Sequence, residues 1–353
     1  MENNENFSVG LVYHPLYLEH DPGPNHPESP SRLLSIHELL EEKKILSRLT
    51  LISPRMASLE ELTTVHDPSY VKRIENFSKR GGGYLTLDTA LSSKSYESAR
   101  LAAGGILPAI DEIFSSEIRM VFCLVRPPGH HALANQGMGF CLFNNLAVGA
   151  KYALEKCKIS RILIIDWDVH HGNGIQEIFY SDPRVLYISL HQYPLYPGTG
   201  SLDEVGSGKG EGFTINLPLP YHTGEQAYMR AFEEIISPVA TQFEPQLLMI
   251  AAGYDGHFAD PLASLNLTVG SFAKMTAKVK KLAKIFCQGR LILSLEGGYN
   301  LKALSHSVLA TINELAELGY EVLDPYGTPS TTPGGAEDVF DEARRIHEKY
   351  WKL

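Results

Sequence analysis

Cysteine, basic charge and long apolar runs are all scarce in this sequence, and each shortage excludes something. Four cysteines stand in 353 residues, at Cys123, Cys141, Cys157 and Cys287, far apart and never as a CxxC pair. Such spacing excludes a disulfide framework and a thiolate zinc site, and reads as reduced thiols in a cytoplasmic protein. Nowhere does the chain approach the ~18 uninterrupted apolar residues a membrane span requires. Met1–Asn6 is polar and acidic, so no secretory signal is expected. Lys and Arg number 31 against 41 Asp and Glu, a net charge of −10, and phosphate contacts need a basic face. Neither a nucleic acid nor a membrane is therefore an expected partner, whereas an oligomer remains possible. The one short basic cluster, Lys278, Lys280 and Lys281, reads as a solvated helix face, as do Glu38, Glu41 and Glu42.

What the chain does have is a series of short, β-branched apolar runs: Val9–Tyr13, Leu49–Ile52, Met120–Val125, Ile162–Trp167, Val185–Leu190, Phe213–Leu217, Leu247–Ala252 and Leu291–Leu295. They are continuous rather than alternating, as in strands buried on both faces of a parallel sheet. Helical stretches lie between most of them: Ser95–Phe114, Asn144–Lys156, Glu225–Thr241, Val269–Phe286 and Leu301–Leu318. Ser29 and Pro30 fit an N-cap with proline at the first helical position, opening a helix that ends near Lys43. The alternation implies an α/β fold, a parallel sheet with helices on both faces. No repeat is present. Gly327–Gly335, rich in Thr, Pro and Gly, separates the expected domain, residues 7–326, from a linker and amphipathic helix around Glu337–Trp351.

Polar residues crowd the segments just after predicted strands: His130 and His131; Asp166, Asp168, His170 and His171; His191; Asp255 and His257; Glu296 to Tyr299. Ligands of open α/β sheets bind outside the carboxyl ends of the strands, so these clusters are expected to converge on one rim. If the chain stays extended past Ile165, a period of two puts Asp166, Asp168 and His170 on one side. Two carboxylates and an imidazole without thiolate suit Zn²⁺, or Fe²⁺, Co²⁺ or Mn²⁺; a hydrogen-bonded loop with a capping Asp is the plainer alternative. Asp255 in AAGYDGH would complete three protein ligands with Asp168 and His170, leaving an open fourth position, the catalytic pattern. Asp166 would then be a supporting acceptor, or a ligand for a monovalent cation. In RPPGHHA, His130 and His131 follow a rigid turn beside that position, and imidazole titrates near neutral pH. Tyr299 could donate a phenolic hydrogen bond. Gly81–Gly83 reads as a flexible loop, and His20, Asp21 and His26 as a loop that either edges the entrance or is plain surface.

In these segments the chain resembles the histone deacetylase family, within the wider group that includes acetylpolyamine amidohydrolases and acetoin-utilisation proteins. The matching blocks are RPPGHHA (126–132), GFCLFNN (139–145), IDWDVHHGNG (165–174), SLHQYPLYPGTG (189–200), GYDGHFADP (253–261) and EGGYNL (296–301), with His26–Arg32 as HPExPxR. The resemblance implies the arginase/deacetylase fold with an eight-stranded parallel sheet. It puts Asp168, His170 and Asp255 on the zinc ligands, His130 and His131 on the tandem active-site histidines, and Tyr299 on the transition-state tyrosine. Gly139, Phe140, Tyr196 and Leu262 fall on the acyl-lysine tunnel, a tyrosine replacing the commoner phenylalanine at 196. Asp166, Ser189 and Leu190, with Asp168 and His170, fall on an inner potassium site; Phe179, Asp182, Val185 and Phe213 fall on a second. Asn173, where class I members have Asp, makes the chain class II-like.

The resemblance implies hydrolysis of N-acetyl-lysine in a protein or peptide, with zinc (Fe²⁺ or Co²⁺ in its place) and structural K⁺. His131, paired with neutral Asn173, would be the base and then the acid; His130, paired with Asp166, would keep its proton; Tyr299 would donate to the oxyanion. Leu262 sits where polyamine-selective relatives are expected to carry a Glu, so acetyl-lysine is favoured over an acetylpolyamine. An arginase-like manganese pair would need further Asp or His ligands in both metal loops. A non-enzymatic reader would be expected to have lost one of these residues.

Overall fold

The computed structural model describes residues 8–331 and 335–353; the reading of Met1–Asn6, the domain start at Phe7 and part of Gly327–Gly335 lie outside them. Ten strands follow in chain order: β1 Ser8–Val12, β2 Thr50–Ile52, β3 Gly82–Tyr84, β4 Ala90–Ser92, β5 Ile118–Cys123, β6 Ile162–Asp166, β7 Val185–Gln192, β8 Thr214–Leu219, β9 Leu247–Ala252 and β10 Leu291–Leu295. Eight form one parallel sheet in the order β2-β1-β5-β10-β9-β6-β7-β8, and they are the eight apolar runs of the sequence. Leu163, Ile164, Ile165, Leu248, Met249 and Ile250 are all fully buried, as continuous apolar strands covered on both faces must be. The fold is the expected α/β class.

Helices Ser95–Ser115, Asn145–Lys156, Val269–Phe286 and Leu301–Leu315 lie where the sequence puts them. Asn144, Thr268 and Asn300 cap three of them, each accepting a backbone N–H in the first turn. Several local readings need correction. Pro30, not Ser29, is the N-cap of Ser31–Glu42, with no side-chain cap bond. The single helix expected over Glu225–Thr241 is broken by a wide turn at Phe232–Ile236, because Pro238 has no N–H for the ladder. Gly82 and Gly83 are not loop but strand β3, paired antiparallel with β4. Lys280 is buried, its ammonium on Glu314 O at 2.6 Å and Glu317 Oε1 at 2.8 Å, and so ties two helices together instead of facing solvent. The amphipathic C-terminal helix spans Glu337–His347, with Phe340, Ala343 and His347 buried, and it packs on β8. Among the described residues no helix is long and apolar enough to cross a membrane. All four cysteines are free.

Candidate metal centre and catalytic pocket

The crossovers that scramble strand order also assemble the site. Strands β5, β10, β9, β6 and β7 are consecutive neighbours, so loops at 126–131, 296–299, 253–257 and 167–173 open side by side at their carboxyl ends. With strands about 4.8 Å apart, four distant segments of chain meet within a few side-chain lengths.

Asp168, His170 and Asp255 bring one ligand atom each within 4.8 Å of one another, and all three are buried. His170 Nδ1 lies 3.1 Å from Asp168 Oδ1 and 3.2 Å from Asp255 Oδ2. The chain does not stay extended past β6, as the sequence reading assumed. It turns, because Asp166 Oδ1 accepts the Asp168 N–H and Asp168 Oδ1 accepts the His170 N–H. That turn sends Asp166 one way and the other two residues to the centre. Gly297 N–H donates to Asp168 Oδ2 at 2.7 Å and Val169 N–H to Asp255 Oδ1 at 3.0 Å. Apart from its ion-pair contact with His170, Asp255 Oδ2 is buried without a hydrogen-bond partner among the described residues, and burial and the Asp168 charge push the Asp255 carboxyl upward. Two buried carboxylates and an imidazole converging on an orphaned oxygen fit a divalent cation, since a buried charge needs a counter-charge or a metal. Glycines make the room: a Cβ on Gly253 would lie 2.1 Å from Asp168 Oδ2, and one on Gly297 2.0 Å from Asp255 Oδ2.

The tandem histidines have opposite partners. His130 Nδ1 lies 3.1 Å from Asp166 Oδ2, which also accepts the Tyr187 hydroxyl. Burial works against its charge, but Asp168 and Asp166 outweigh it and lift the imidazole to about 10. His131 Nδ1 lies 2.8 Å from Asn173 Oδ1, a neutral acceptor that fixes the Nδ1–H tautomer. Burial, with His130 and His170 nearby, drives it well below the ordinary imidazole value. One ring thus holds a proton and its neighbour is free to take one.

Gly139 and Phe140 both have positive φ, +54° and +68°; Phe140 is an uncommon non-glycine in that region. A Cβ on Gly139 would meet the His131 ring at 2.3 Å. The Phe140 ring sits edge-on to Tyr299, centroids 5.7 Å apart, and the Tyr196 ring edge-on to His131 at 5.1 Å. What holds this wall went unread in the sequence. The β3–β4 hairpin supplies Asp88, whose Oδ2 accepts the Gly139 N–H, and Thr89, whose hydroxyl accepts the Phe140 N–H. Glu28 was missed too. It is buried, 3.1 Å from Arg32 Nη1 and 2.6 Å from Arg126 Nε, while Arg32 Nε donates to Gly298 O beside Tyr299. A signal existed, an acid four residues before an arginine in HPExPxR, but its partner Arg126 lies 98 residues on. Asp260, also unread, accepts the Tyr299 and Asn300 N–H groups. Leu262 is half-buried and tied by its N–H to Asp260 Oδ1.

Not every expected residue joins the centre. His191 bonds Ser189 Oγ and Gly200 O, and its ring lies 4.8 Å from His171. His257 turns outward to Asp324 at 2.9 Å. His20 is buried on Ser95 and Glu28 rather than forming surface. His26 packs edge-on against Phe140 at 4.8 Å. Ser189 pairs in register with Asp166, next to Leu190 in β7. Where the resemblance implies a second potassium site, the oxygens of Phe179, Asp182 and Phe213 accept the N–H groups of Asp182, Val185 and Tyr187, and the Lys151 ammonium lies 3.2 Å from Asp182 Oδ2.

Comparison with known proteins matches residues 26–315 to the profile described as Histone deacetylase domain. The chain is 42% identical over 356 residues to a "Probable deacetylase" of Archaeoglobus fulgidus, covering 98% of this chain and 99% of that one. It is 41% identical over 301 residues to the "Histone deacetylase-like amidohydrolase" of Pseudomonas aeruginosa (85% and 79% covered). With "Histone deacetylase 10, chloroplastic" of rice it shares 38% over 344 residues (91% and 77%). The crystal structure of the HDA15 HD domain superposes with a TM-score of 0.89 at 36% identity, covering 98% of this chain and 96% of that one.

Proposed function

The chain belongs to the histone deacetylase family and is a deacetylase-family hydrolase, and on that premise we propose that it hydrolyses the amide of N-acetyl-lysine in proteins or peptides. The observation that carries the reading is the geometry: buried His131, tied by Nδ1 to neutral Asn173 at 2.8 Å, stands beside His170 of the buried Asp168–His170–Asp255 group. Those three residues would hold Zn²⁺, or Fe²⁺ or Co²⁺ in its place. When bound, the ion supplies Lewis-acid polarisation of the amide carbonyl and acidifies a water, from ~15.7 to about 7.

The remaining work belongs to the chain. His131 Nε2 accepts the proton of the attacking water and returns it to the leaving amine. His130, held protonated by Asp166, stabilises the developing negative charge without changing state. The Tyr299 hydroxyl donates to the oxyanion, and Arg32 and Asp260 hold its loop from either side. Phe140 and Tyr196 wall the tunnel for the apolar lysine stem. Asp166, Asp168, His170, Ser189 and Leu190 would hold a structural K⁺.

The aliphatic Leu262 supports acetyl-lysine; an acetylpolyamine or another small N-acetyl amide is the second reading, consistent with the broader term amidohydrolase in the name of the Pseudomonas aeruginosa relative. The test is kcat/KM of Zn²⁺-reconstituted enzyme on an acetyl-lysine peptide against an acetylated diamine. Higher turnover of the diamine would move the assignment to small molecules, and no turnover of either would refute it.

A further inference from the structure

A second group of donor atoms lies beside the one already described. His130, Cys141 and Glu296 are all buried and bring one ligand atom each within 4.8 Å of one another. They come from three segments, the loop after β5, the loop carrying Phe140, and the end of β10. Each has capacity left over. Glu296 Oε2 accepts the N–H groups of Gly129 at 2.7 Å and His130 at 3.1 Å, while its Oε1 is buried with no hydrogen-bond partner among the described residues. An unmatched buried carboxylate oxygen is costly and is unusual in a native interior. The Cys141 thiol has a weak bond to Gly139 O at 3.3 Å. His130 spends Nδ1 on Asp166 and turns Nε2 toward the centre, 3.9 Å from Asp168 Oδ1.

We propose that His130 Nε2, Cys141 Sγ and Glu296 form a second, inhibitory site for a borderline-soft divalent cation such as Zn²⁺ or Cd²⁺. Thiolate, imidazole and carboxylate together favour such ions over Mg²⁺ or Ca²⁺. Bonds of about 2.0–2.3 Å in a tetrahedral site put donors roughly 3.5 Å apart, so the three need to close by about 1 Å. Binding forms metal–S, metal–N and metal–O bonds and releases the Cys141 thiol proton and any proton on His130 Nε2 to solvent. The neighbouring Asp166 and Asp168 carboxylates favour the incoming charge. Occupancy removes His130 as the charged partner of the reaction and places a cation against its ligand Asp168, so it inhibits. This differs from an arginase-like pair, whose second ion would use the metal loops themselves.

Binding is read directly with Cd²⁺ on the full chain in a Cys157→Ala background, which removes the half-buried thiol. Near-ultraviolet difference absorption is expected to show a thiolate-to-Cd²⁺ band that survives Cys287→Ala and disappears in Cys141→Ala. Cys141→Ser, which keeps the shape of the side chain, covers the case in which alanine does not fold. Glu296→Gln should weaken Cd²⁺ binding about tenfold. A band that persists without Cys141, or no band in the parent, overturns the site. Inhibition rests on the function proposed above and is read separately: Zn²⁺ beyond the first equivalent should depress acetyl-lysine peptide turnover in the parent, with half-inhibition about tenfold higher in Cys141→Ala. Unchanged inhibition in that variant would refute the inhibitory role, whereas absence of all turnover beside an intact band would refute the function and leave the site standing.

Discussion

At the rim of the sheet, His130 and His131 are buried and each has a partner, Asp166 or Asn173. In the C-terminal helix His347 is just as buried, yet neither of its ring nitrogens has one among the described residues. The rim is built from loops on five adjacent strands whose glycines let carboxylates come close; the helix is held by Phe340 and Ala343 and by ion pairs such as Arg344–Glu234 at 2.9 Å. At the rim, then, the partner of each histidine sets its protonation state: the Asp166 carboxylate for His130 and the neutral Asn173 amide for His131. In the helix one imidazole is carried neutral by packing. The rim is organised for chemistry and the helix for covering β8.

If that division holds, changes at the rim remove activity and leave the fold, and changes in the helix do the reverse. The largest effect is expected from Asp255→Asn or from chelation. Turnover should fall at least about a thousandfold, the several kcal/mol a Lewis acid supplies. Zn²⁺ should restore the chelated enzyme and not the variant, as measured by peptide deacetylation with metal analysis. Tyr299→Phe comes next, with kcat down ~10²–10³ and KM little changed; steady-state kinetics decides, and full turnover would remove Tyr299 from the mechanism.

In the helix, Phe340→Ala should cost about 3–5 kcal/mol in denaturant unfolding while leaving kcat/KM of the folded enzyme near the parent value. The smallest effect concerns pH. Burial, with Lys349 nearby, lowers His347 to about 4, below the ~6.5 of an unfolded histidine. The unfolded chain then binds the extra proton, so stability declines as pH falls from ~6.5 toward 4. His347→Leu should flatten part of that slope in thermal unfolding at stepped pH. His66, lowered by burial to about 4 yet bonded at both nitrogens to Leu133 O and Asn144 N–H, supplies a share that the substitution leaves in place. A slope unchanged by His347→Leu would show that the orphaned ring does not sense pH.

The eight strands were legible because a strand buried on both faces has to be apolar along its length, as residues 162–165 and Leu247–Ala252 are. The main helices were legible from the stretches between strands, but the one cap read, Ser29, was misplaced, because Pro30 occupies that position without a side-chain bond. The β3–β4 hairpin was not, because a three-residue strand of Gly82, Gly83 and Tyr84 has no usable periodicity. Its Asp88 and Thr89 were lost with it. Lys280 looked like solvated charge because its partners, Glu314 O and Glu317, sit at the end of another helix and in the turn after it. Asp166 and Asp168 are separated by one residue and looked alike. One holds His130 and the other faces Asp255, a distinction made by a turn that hydrogen bonds to their own carboxylates create.

Residue chemistry and local spacing settled the eight strands of the sheet, the main helices and the stock of acids and imidazoles, since each depends on forces acting within a few residues. Which acid meets which imidazole, which oxygen is left over at Asp255 and Glu296, and which histidine stays neutral were decided by strand order. Those outcomes depend on distances across a sheet whose neighbours are far apart in the chain, and on burial that magnifies every charge within it.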